Sequence, residues 1–149
     1  MHITLETDYA IRIVDCLARN GFRMGAQSIA EYSGVTLRFS LKILRKLVSA
    51  GIIRSYKGAQ GGYEIARPLE DISINNILEA IEGPYAFSRC LNEDHVCHRN
   101  GAGSSCVFHQ CFEHLSKNVQ IQLDSLTFDK LLQEDGAGIL STELVYSVK

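Results

Sequence analysis

Apolar residues within positions 1–50 repeat at the three- to four-residue spacing of α-helices, and this repeat ends at Gly51. The residues that follow form two short runs rich in β-branched and aromatic side chains, 52–56 and 63–67, which flank a glycine-rich segment. A chain with this order folds into helices first and into a β-hairpin afterwards. We therefore predict a mostly α fold with one small hairpin.

Turn and capping residues divide the helical part into three helices. The first helix stops at Asn20-Gly21, and a second short helix is expected over about 26–32. Thr36 is a good N-cap for a third helix, which ends at Gly51. Two helices joined by a short turn that contains glycine are typical of a helix-turn-helix. Because a hairpin follows them, the predicted arrangement is a winged helix-turn-helix, in which the hairpin lies beside the recognition helix on DNA.

The second half of the chain is expected to contain two further helices separated by a loop. Ser73 caps a fourth helix that Gly83-Pro84 closes, and a long helix begins near Cys106. Apolar side chains fall on one face of the long helix, at Phe112, Leu115, Val119, Leu123 and Leu126. Since the winged part has its own core, we expect this face to pack against the same helix of a second subunit and to form a two-fold homodimer. The predicted divisions are a winged helix-turn-helix domain (1–83), a loop (84–105), a dimerisation helix region (106–132) and a tail (133–149).

The composition argues against several classes of protein. The 149 residues are 46% apolar and 21% charged, as in an ordinary folded domain. No apolar run approaches the roughly eighteen residues of a membrane helix, and the N-terminus lacks the apolar core of a signal peptide, so a cytoplasmic protein that binds no membrane is expected. No glycine-rich phosphate loop, nucleophile elbow or paired-carboxylate motif is present, which argues against an enzyme.

Charge is unevenly distributed along the chain. Residues 1–70 carry ten Lys and Arg against six Asp and Glu, whereas residues 71–149 carry five against eleven. The basic first half suits contact with double-stranded DNA, through basic side chains and through free N–H groups at the start of the third helix. The residues predicted to contact DNA are Thr36, Arg38, Ser40, Lys42 and Arg45 on the third helix, and Lys57, Gly58, Gly61 and Gly62 on the hairpin.

Three cysteines, Cys90, Cys97 and Cys106, lie close together in and after the loop, with histidines among and after them. Thiolates at three positions with an imidazole available are sufficient to hold a zinc ion or an iron–sulfur cluster. The gaps between the cysteines match neither the C-x2-C pairs of common zinc fingers nor the compact ferredoxin run, so the spacing leaves the metal open. Cys16 lies among core positions of the first helix and is expected to act as a small hydrophobe.

The order of these features resembles the IscR- and NsrR-type bacterial regulators over about residues 1–132. The resemblance rests on the hairpin sequence KGAQGGY at 57–63, the fourth helix, the three-cysteine loop and the long helix after it. It implies a homodimeric transcription factor that binds a palindromic operator. It also implies that Cys90, Cys97 and Cys106 hold an iron–sulfur cluster that senses iron–sulfur status, nitric oxide or oxidants.

The fourth cluster ligand has two candidates under this resemblance. His109 matches the histidine of a [2Fe–2S] site in the IscR type, and it lies three residues after Cys106, on the same side of the helix. Asp8 stands where the NsrR type uses a first-helix carboxylate from the partner subunit to complete a [4Fe–4S] cluster. Because mixed cysteine and histidine ligation suits a [2Fe–2S] cluster, His109 and [2Fe–2S] are preferred.

The function expected from the sequence is therefore an iron–sulfur-sensing transcriptional regulator of cluster assembly genes and of its own operon. One alternative is a nitric oxide or redox sensor that uses a [4Fe–4S] cluster or a thiol switch, for example between Cys97 and Cys111. Another is a winged-helix DNA-binding protein with a structural zinc ion.

Overall fold

The computed structural model describes residues 3–84, 86–92, 95, 97 and 106–135, and within them it contains six α-helices and one two-stranded antiparallel sheet. A mostly helical chain with one hairpin confirms the predicted fold class. The helices are α1 (Leu5–Asn20), α2 (Ala26–Ser33), α3 (Leu37–Ser49), α4 (Ile74–Glu82), α5 (Val107–Ser125) and α6 (Phe128–Asp135), and the strands are β1 (Ile53–Tyr56) and β2 (Gly62–Ile65).

Local capping explains where several of these helices begin and end. At the start of α1 the Thr4 hydroxyl accepts a hydrogen bond from the Thr7 backbone N–H, and Gly21 ends the helix with a φ of 67°. Ser73 and Asn76 form a reciprocal capping box at the start of α4. Thr36 occupies the N-cap position of α3, but its side chain makes no capping hydrogen bond. Its hydroxyl is therefore available to another partner.

Helices α1 to α4 and the hairpin enclose one hydrophobic core. Burial of each large aliphatic side chain in such a core stabilises the fold by about 1.5–3 kcal/mol. Burial raises the pKa of the Cys16 thiol, as does the negative charge of Asp15, so Cys16 acts as the small hydrophobe predicted. The fully buried core side chains include Ala10, Ile13, Val14, Ile29, Ile43, Leu44, Leu47, Ile52, Ile72 and Ile77.

The hairpin is attached to the connection between α1 and α2. Strands β1 and β2 pair from Ile53 with Ile65 to Tyr56 with Gly62. The backbone of Met24 then adds a one-residue bridge to the outer side of β2, because its N–H donates to the Tyr63 carbonyl at 2.9 Å and its carbonyl accepts from the Tyr63 N–H at 2.8 Å. The hairpin is thus fixed beside the helical part.

The last two helices return to the winged part. The Phe128 N–H donates to the Ile72 carbonyl at 2.9 Å, and the Phe128 side chain is 2% exposed within the common core. Helix α5 packs against α4 and against the short helical turn Arg89–Leu91. As a result, most of the α5 face predicted to meet a second subunit is half-buried within the chain, at Phe112, Val119, Leu123 and Leu126. No helix in the described ranges is both long and apolar enough to span a membrane.

Candidate nucleic-acid interface

The outer side of α3 forms an open depression of about 440 Å³ beside the N-terminal half of the helix. Basic side chains alternate there with two hydrophobic ones. The residues that line it are Thr36, Arg38, Phe39, Leu41, Lys42 and Arg45, four of which are predicted DNA contacts.

The basic side chains of α3 divide into free and paired groups. Arg38 and Arg45 are exposed, and neither forms a hydrogen bond or ion pair with any residue that the structure describes. In contrast, Lys42 Nζ lies 2.9 Å from Glu6 Oε2, and Lys46 Nζ lies 2.8 Å from Glu6 Oε1. The two arginines are therefore available to DNA phosphates or guanine edges, whereas the two lysines are engaged by α1.

Glu6 lies in the first turn of α1, and its side chain is only 19% exposed. Burial acts to raise the pKa of this carboxyl, but the hydrogen bonds and charges of Lys46 and Lys42 outweigh burial and hold the pKa below its ordinary value. Because the folded-state pKa is lowered, the carboxylate stabilises the fold above its unfolded-state pKa. This contribution is lost as the pH falls through the folded-state pKa.

Replacing Glu6 by Gln keeps the size of the side chain and releases Lys42 from its ion pair. We expect the variant to bind DNA more tightly than the wild type, since Lys42 gains access to a phosphate. The slope of log affinity against log salt concentration should steepen by about 0.9 for one added phosphate contact. Anisotropy titrations of a duplex at several salt concentrations measure both effects, and urea unfolding at acidic and neutral pH should show a weaker acid dependence of stability.

Asp15→Asn is the matched control for this variant. It removes one negative charge from the same helix, but Asp15 pairs with Arg19 rather than with α3. A salt slope in Glu6→Gln equal to that of Asp15→Asn would show that Lys42 is not held back from DNA by Glu6.

Ser40 is a predicted DNA contact that the structure corrects. Its side chain is 0% exposed, and its hydroxyl makes no hydrogen bond within the described residues. Position 40 lies three and four residues before Ile43 and Leu44, so it shares the buried face of α3. The small side chain fits the core there and does not reach the surface.

The tip of the hairpin contains two of the predicted wing residues in open positions. Lys57 and Gly58 are exposed. Gly58 has a φ of 96°, a left-handed conformation that favours glycine, and a Cβ added to it would meet no atom within 4 Å. Both residues can therefore approach DNA without displacing part of the protein.

Gly61 and Gly62 are required by packing within the chain, which differs from the role predicted for them. A Cβ at Gly61 would lie 2.6 Å from the Tyr56 carbonyl oxygen, and a Cβ at Gly62 would lie 2.5 Å from the Met24 carbonyl oxygen. A larger residue at position 62 would push the hairpin away from Met24, and a larger residue at position 61 would collide with the backbone of the hairpin tip itself. Glycine is therefore needed at positions 61 and 62 for packing within the chain. A close approach to a DNA groove is not needed to explain these two glycines.

Arg23 anchors the hairpin and was not identified from the sequence. Its guanidinium carbon lies 3.4 Å from the centre of the Tyr56 ring, and its Nε lies 3.3 Å from Glu64 Oε2. Its Nη1 also donates to the Gln60 carbonyl at the tip. A hydrogen bond from the Tyr56 hydroxyl, together with Arg23 and Arg54, holds the pKa of Glu64 below its ordinary value. No local sequence signal connects Arg23 with Glu64, which lies forty-one residues later.

The predicted cluster ligands lie outside the core. None of Cys90, Cys97 and Cys106 forms a disulfide within the described residues; Cys90 and Cys106 are half-buried, and Cys97 is exposed. Cys106 is the N-cap residue of α5, and His109 lies half-buried one turn later. Among the described residues, no three His, Cys, Asp or Glu side chains come close enough to form a metal site. The thiol and imidazole side chains are of the types that hold an iron–sulfur cluster, but the structure does not bring these side chains close together.

Asp8, the alternative fourth ligand, is engaged within its own helix. Its Oδ2 lies 2.8 Å from Arg12 Nη2. Cys111, the other exposed thiol, lies on α5. The thiol pair proposed for a switch, Cys97 and Cys111, is therefore accessible to solvent and is not joined by a disulfide.

A recognition helix with two exposed arginines beside an anchored hairpin defines a winged helix-turn-helix DNA-binding protein. The chain belongs to the Rrf2 family, whose model, described as an iron-dependent transcriptional regulator, matches residues 3–134. The protein is therefore a transcriptional regulator of the Rrf2 family. Its assignment to the IscR and NsrR type within that family stays a prediction.

Two relatives of similar length support the family assignment. The chain is 31% identical to an rrf2-like HTH-type transcriptional regulator of Rhodobacter capsulatus, over 87% of this chain and 91% of the relative. It is 27% identical to protein rrf2 of Nitratidesulfovibrio vulgaris, over 90% of this chain and 89% of the relative.

Two solved structures share the fold. IscR of T. potens superposes with a TM-score of 0.70 at 24% identity, covering 98% of this chain and 97% of that one. CymR, the global cysteine regulator of B. subtilis, superposes with a TM-score of 0.71 at 21% identity, covering 90% and 98%. At these identities the similarity shows the fold alone, and the two scores do not favour one of these regulators over the other.

Proposed function

We propose that this regulator acts as a homodimer that binds a palindromic DNA operator through α3 and the hairpin, and that its cysteine segment senses iron–sulfur status. The observation that supports DNA binding best is the pair of exposed arginines, Arg38 and Arg45, which have no partner within the described residues. Two copies of α3 related by a two-fold axis would meet two half-sites of a palindrome. The proposed targets are iron–sulfur assembly genes and the protein's own operon.

The second subunit is proposed to cover the outward face of α5. This face exposes four large apolar side chains: Val107 (67%), Phe108 (53%), Leu115 (46%) and Ile121 (43%). Exposed apolar side chains concentrated on one helix are typical of an interaction surface. In a two-fold dimer the same face of each copy meets its equivalent. The proposed interface shares Leu115 with the face predicted from sequence but is otherwise rotated around α5, because the other predicted residues are already half-buried within the chain.

The proposed ligands of the iron–sulfur cluster are Cys90, Cys97, Cys106 and His109, and the proposed cluster is [2Fe–2S] rather than [4Fe–4S]. Thiols that lie outside the core and form no disulfide within the described residues are accessible to metal, and the half-buried imidazole of His109 follows Cys106 by one helical turn. When bound, such a cluster would supply one-electron redox chemistry and reactivity toward oxidants or nitric oxide. Since the described residues do not gather these ligands, the proposal requires the cysteine segment to rearrange on cluster binding.

The end of α4 offers a route from the cysteine segment to α3. Lys46 of α3 donates to the Ile81 carbonyl at 2.8 Å, and the Glu82 carboxylate accepts hydrogen bonds from Thr4 and Thr7 of α1. The chain leaves α4 directly after Glu82 and continues to Cys90. A rearrangement of that segment would therefore alter the support of α3. The resulting change in DNA affinity must equal the difference between the affinity of the cluster for the DNA-bound protein and its affinity for the free protein. Such a coupling is typically about 1–3 kcal/mol, or 5- to 150-fold.

A thiol switch is a second candidate, favoured by the exposure of Cys97 and Cys111. Staphylococcus aureus CymR, which is 25% identical over 86% of this chain, has been solved in an oxidised form. In this chain, oxidation by a peroxide would join two thiols as a disulfide and reduce the peroxide to water or an alcohol. Mass spectrometry of the peroxide-treated protein would detect the loss of two hydrogens.

Anaerobic purification of the full chain tests the cluster proposal. We expect a dimer by sedimentation and a coloured protein that contains iron and acid-labile sulfide in equal amounts. A colourless protein with one zinc ion per chain would support the structural zinc alternative. A protein without metal would favour the thiol switch.

A further inference from the structure

We infer that Leu41 reads the methyl group of a thymine in each operator half-site, next to guanines contacted by Arg38 and Arg45. The inference rests on the proposed DNA-binding function of α3 and names the bases that this surface fits.

Along α3, Leu41 lies between Arg38 and Arg45, which have no partner among the described residues. It follows Arg38 by three residues and precedes Arg45 by four, so the three side chains share one helical face. All three line the same open depression. A half-buried hydrophobic side chain therefore lies among the basic side chains of this surface.

Packing within the chain does not explain this leucine. The buried face of α3 is formed by Ile43, Leu44 and Leu47, which are 0% exposed. Leu41 belongs neither to this core cluster nor to the partly buried hydrophobic residues that pack against it in the described part of the chain. Phe39, the other hydrophobic residue of the depression, does pack inward, with its ring edge-on to Tyr9 at 5.8 Å.

The neighbours of Leu41 restrict what it can contact. Lys42 is drawn toward Glu6, which leaves the two guanidinium groups and the Thr36 hydroxyl as the polar partners around it. In the major groove, guanidinium groups donate hydrogen bonds to the O6 and N7 atoms of guanine. The apolar group exposed in that groove is the C5 methyl of thymine. The surface thus matches a half-site in which thymine is adjacent to guanine.

The test uses the full-length protein and a library of random double-stranded DNA. Selection with the wild type yields a preferred duplex, which is then synthesised with each thymine replaced in turn by deoxyuridine, a change that removes only the methyl group. At one position in each half-site, we expect the affinity of the wild type to fall about fourfold, the effect of exposing one buried methyl group. The Leu41→Ala variant should bind the thymine and deoxyuridine duplexes equally.

Two further variants complete the experiment. Phe22→Ala removes a side chain that is 62% exposed on the connection between α1 and α2, and it should retain the wild-type response to deoxyuridine. Leu41→Gln keeps a good helix former and should change the preferred base at that position toward adenine, because an amide pairs with adenine N6 and N7. It serves as the second variant if Leu41→Ala is unfolded by circular dichroism.

Each outcome decides a separate question. If the wild type selects a duplex but no thymine replacement weakens binding, or if Leu41→Ala shows the same fourfold loss, the role of Leu41 is refuted and DNA binding stands. If the wild type selects no sequence at all, the proposed recognition of an operator is refuted as well.

Discussion

Replacing Cys90, Cys97 or Cys106 by Ala is expected to abolish the visible absorbance and the bound iron of the anaerobically purified protein. Each substitution removes one of the proposed thiolate ligands. The three side chains are half-buried or exposed and none belongs to the core, so their loss leaves no buried cavity and the fold should persist. Absorbance, iron and sulfide analysis, and thermal unfolding measure the two effects separately.

Cys111→Ala is the matched control for these variants. Cys111 is an exposed thiol on α5 that the proposal does not use as a ligand. It should retain the absorbance and the iron. If all three ligand variants are unfolded, the metal supports the fold and is not a sensor; if one of them keeps its full iron content, that cysteine is not a ligand.

Arg38→Ala and Arg45→Ala are each expected to weaken operator binding by about 5- to 150-fold, which corresponds to the 1–3 kcal/mol typical of a direct base contact. Both side chains are exposed and unpaired within the described residues, so their removal should leave the stability unchanged. A contact to guanine would relax the preference for that base. A contact to phosphate would instead lower affinity for all sequences and reduce the salt slope by about one.

Arg19→Ala provides the control for the change in net charge. Arg19 lies at the end of α1 and pairs with Asp15. Equal losses of affinity in all three variants would mean that only total charge matters, and the assignment of α3 as the recognition helix would then be wrong.

Local sequence signals were sufficient to predict the fold. The apolar spacing, Gly21 and the Ser73 cap depend on neighbours within one or two helical turns, and the structure places helix ends at these residues. The hairpin was recognisable for the same reason, since its strands and its glycines are adjacent in the chain.

The surroundings of the candidate DNA-contact residues could be predicted only in part, because their electrostatics depend on distant residues. Lys42 has the same spacing and charge sign as Arg38 and Arg45, yet it is engaged by Glu6, thirty-six residues earlier. Ser40 was predicted to contact DNA beside the basic side chains of α3, whereas the packing of α3 places it in the core. Whether distant residues converge is a property of tertiary structure, which spacing along one chain does not contain.

Control of α3 by the cysteine segment is tested by the dissociation constant for one selected duplex, measured anaerobically with iron-loaded protein and again after iron removal by a chelator. The two constants should differ by about 5- to 150-fold, and Cys97→Ala should give the iron-free value in both measurements. Identical constants for the iron-loaded and iron-free protein would contradict the proposal that the segment controls DNA binding.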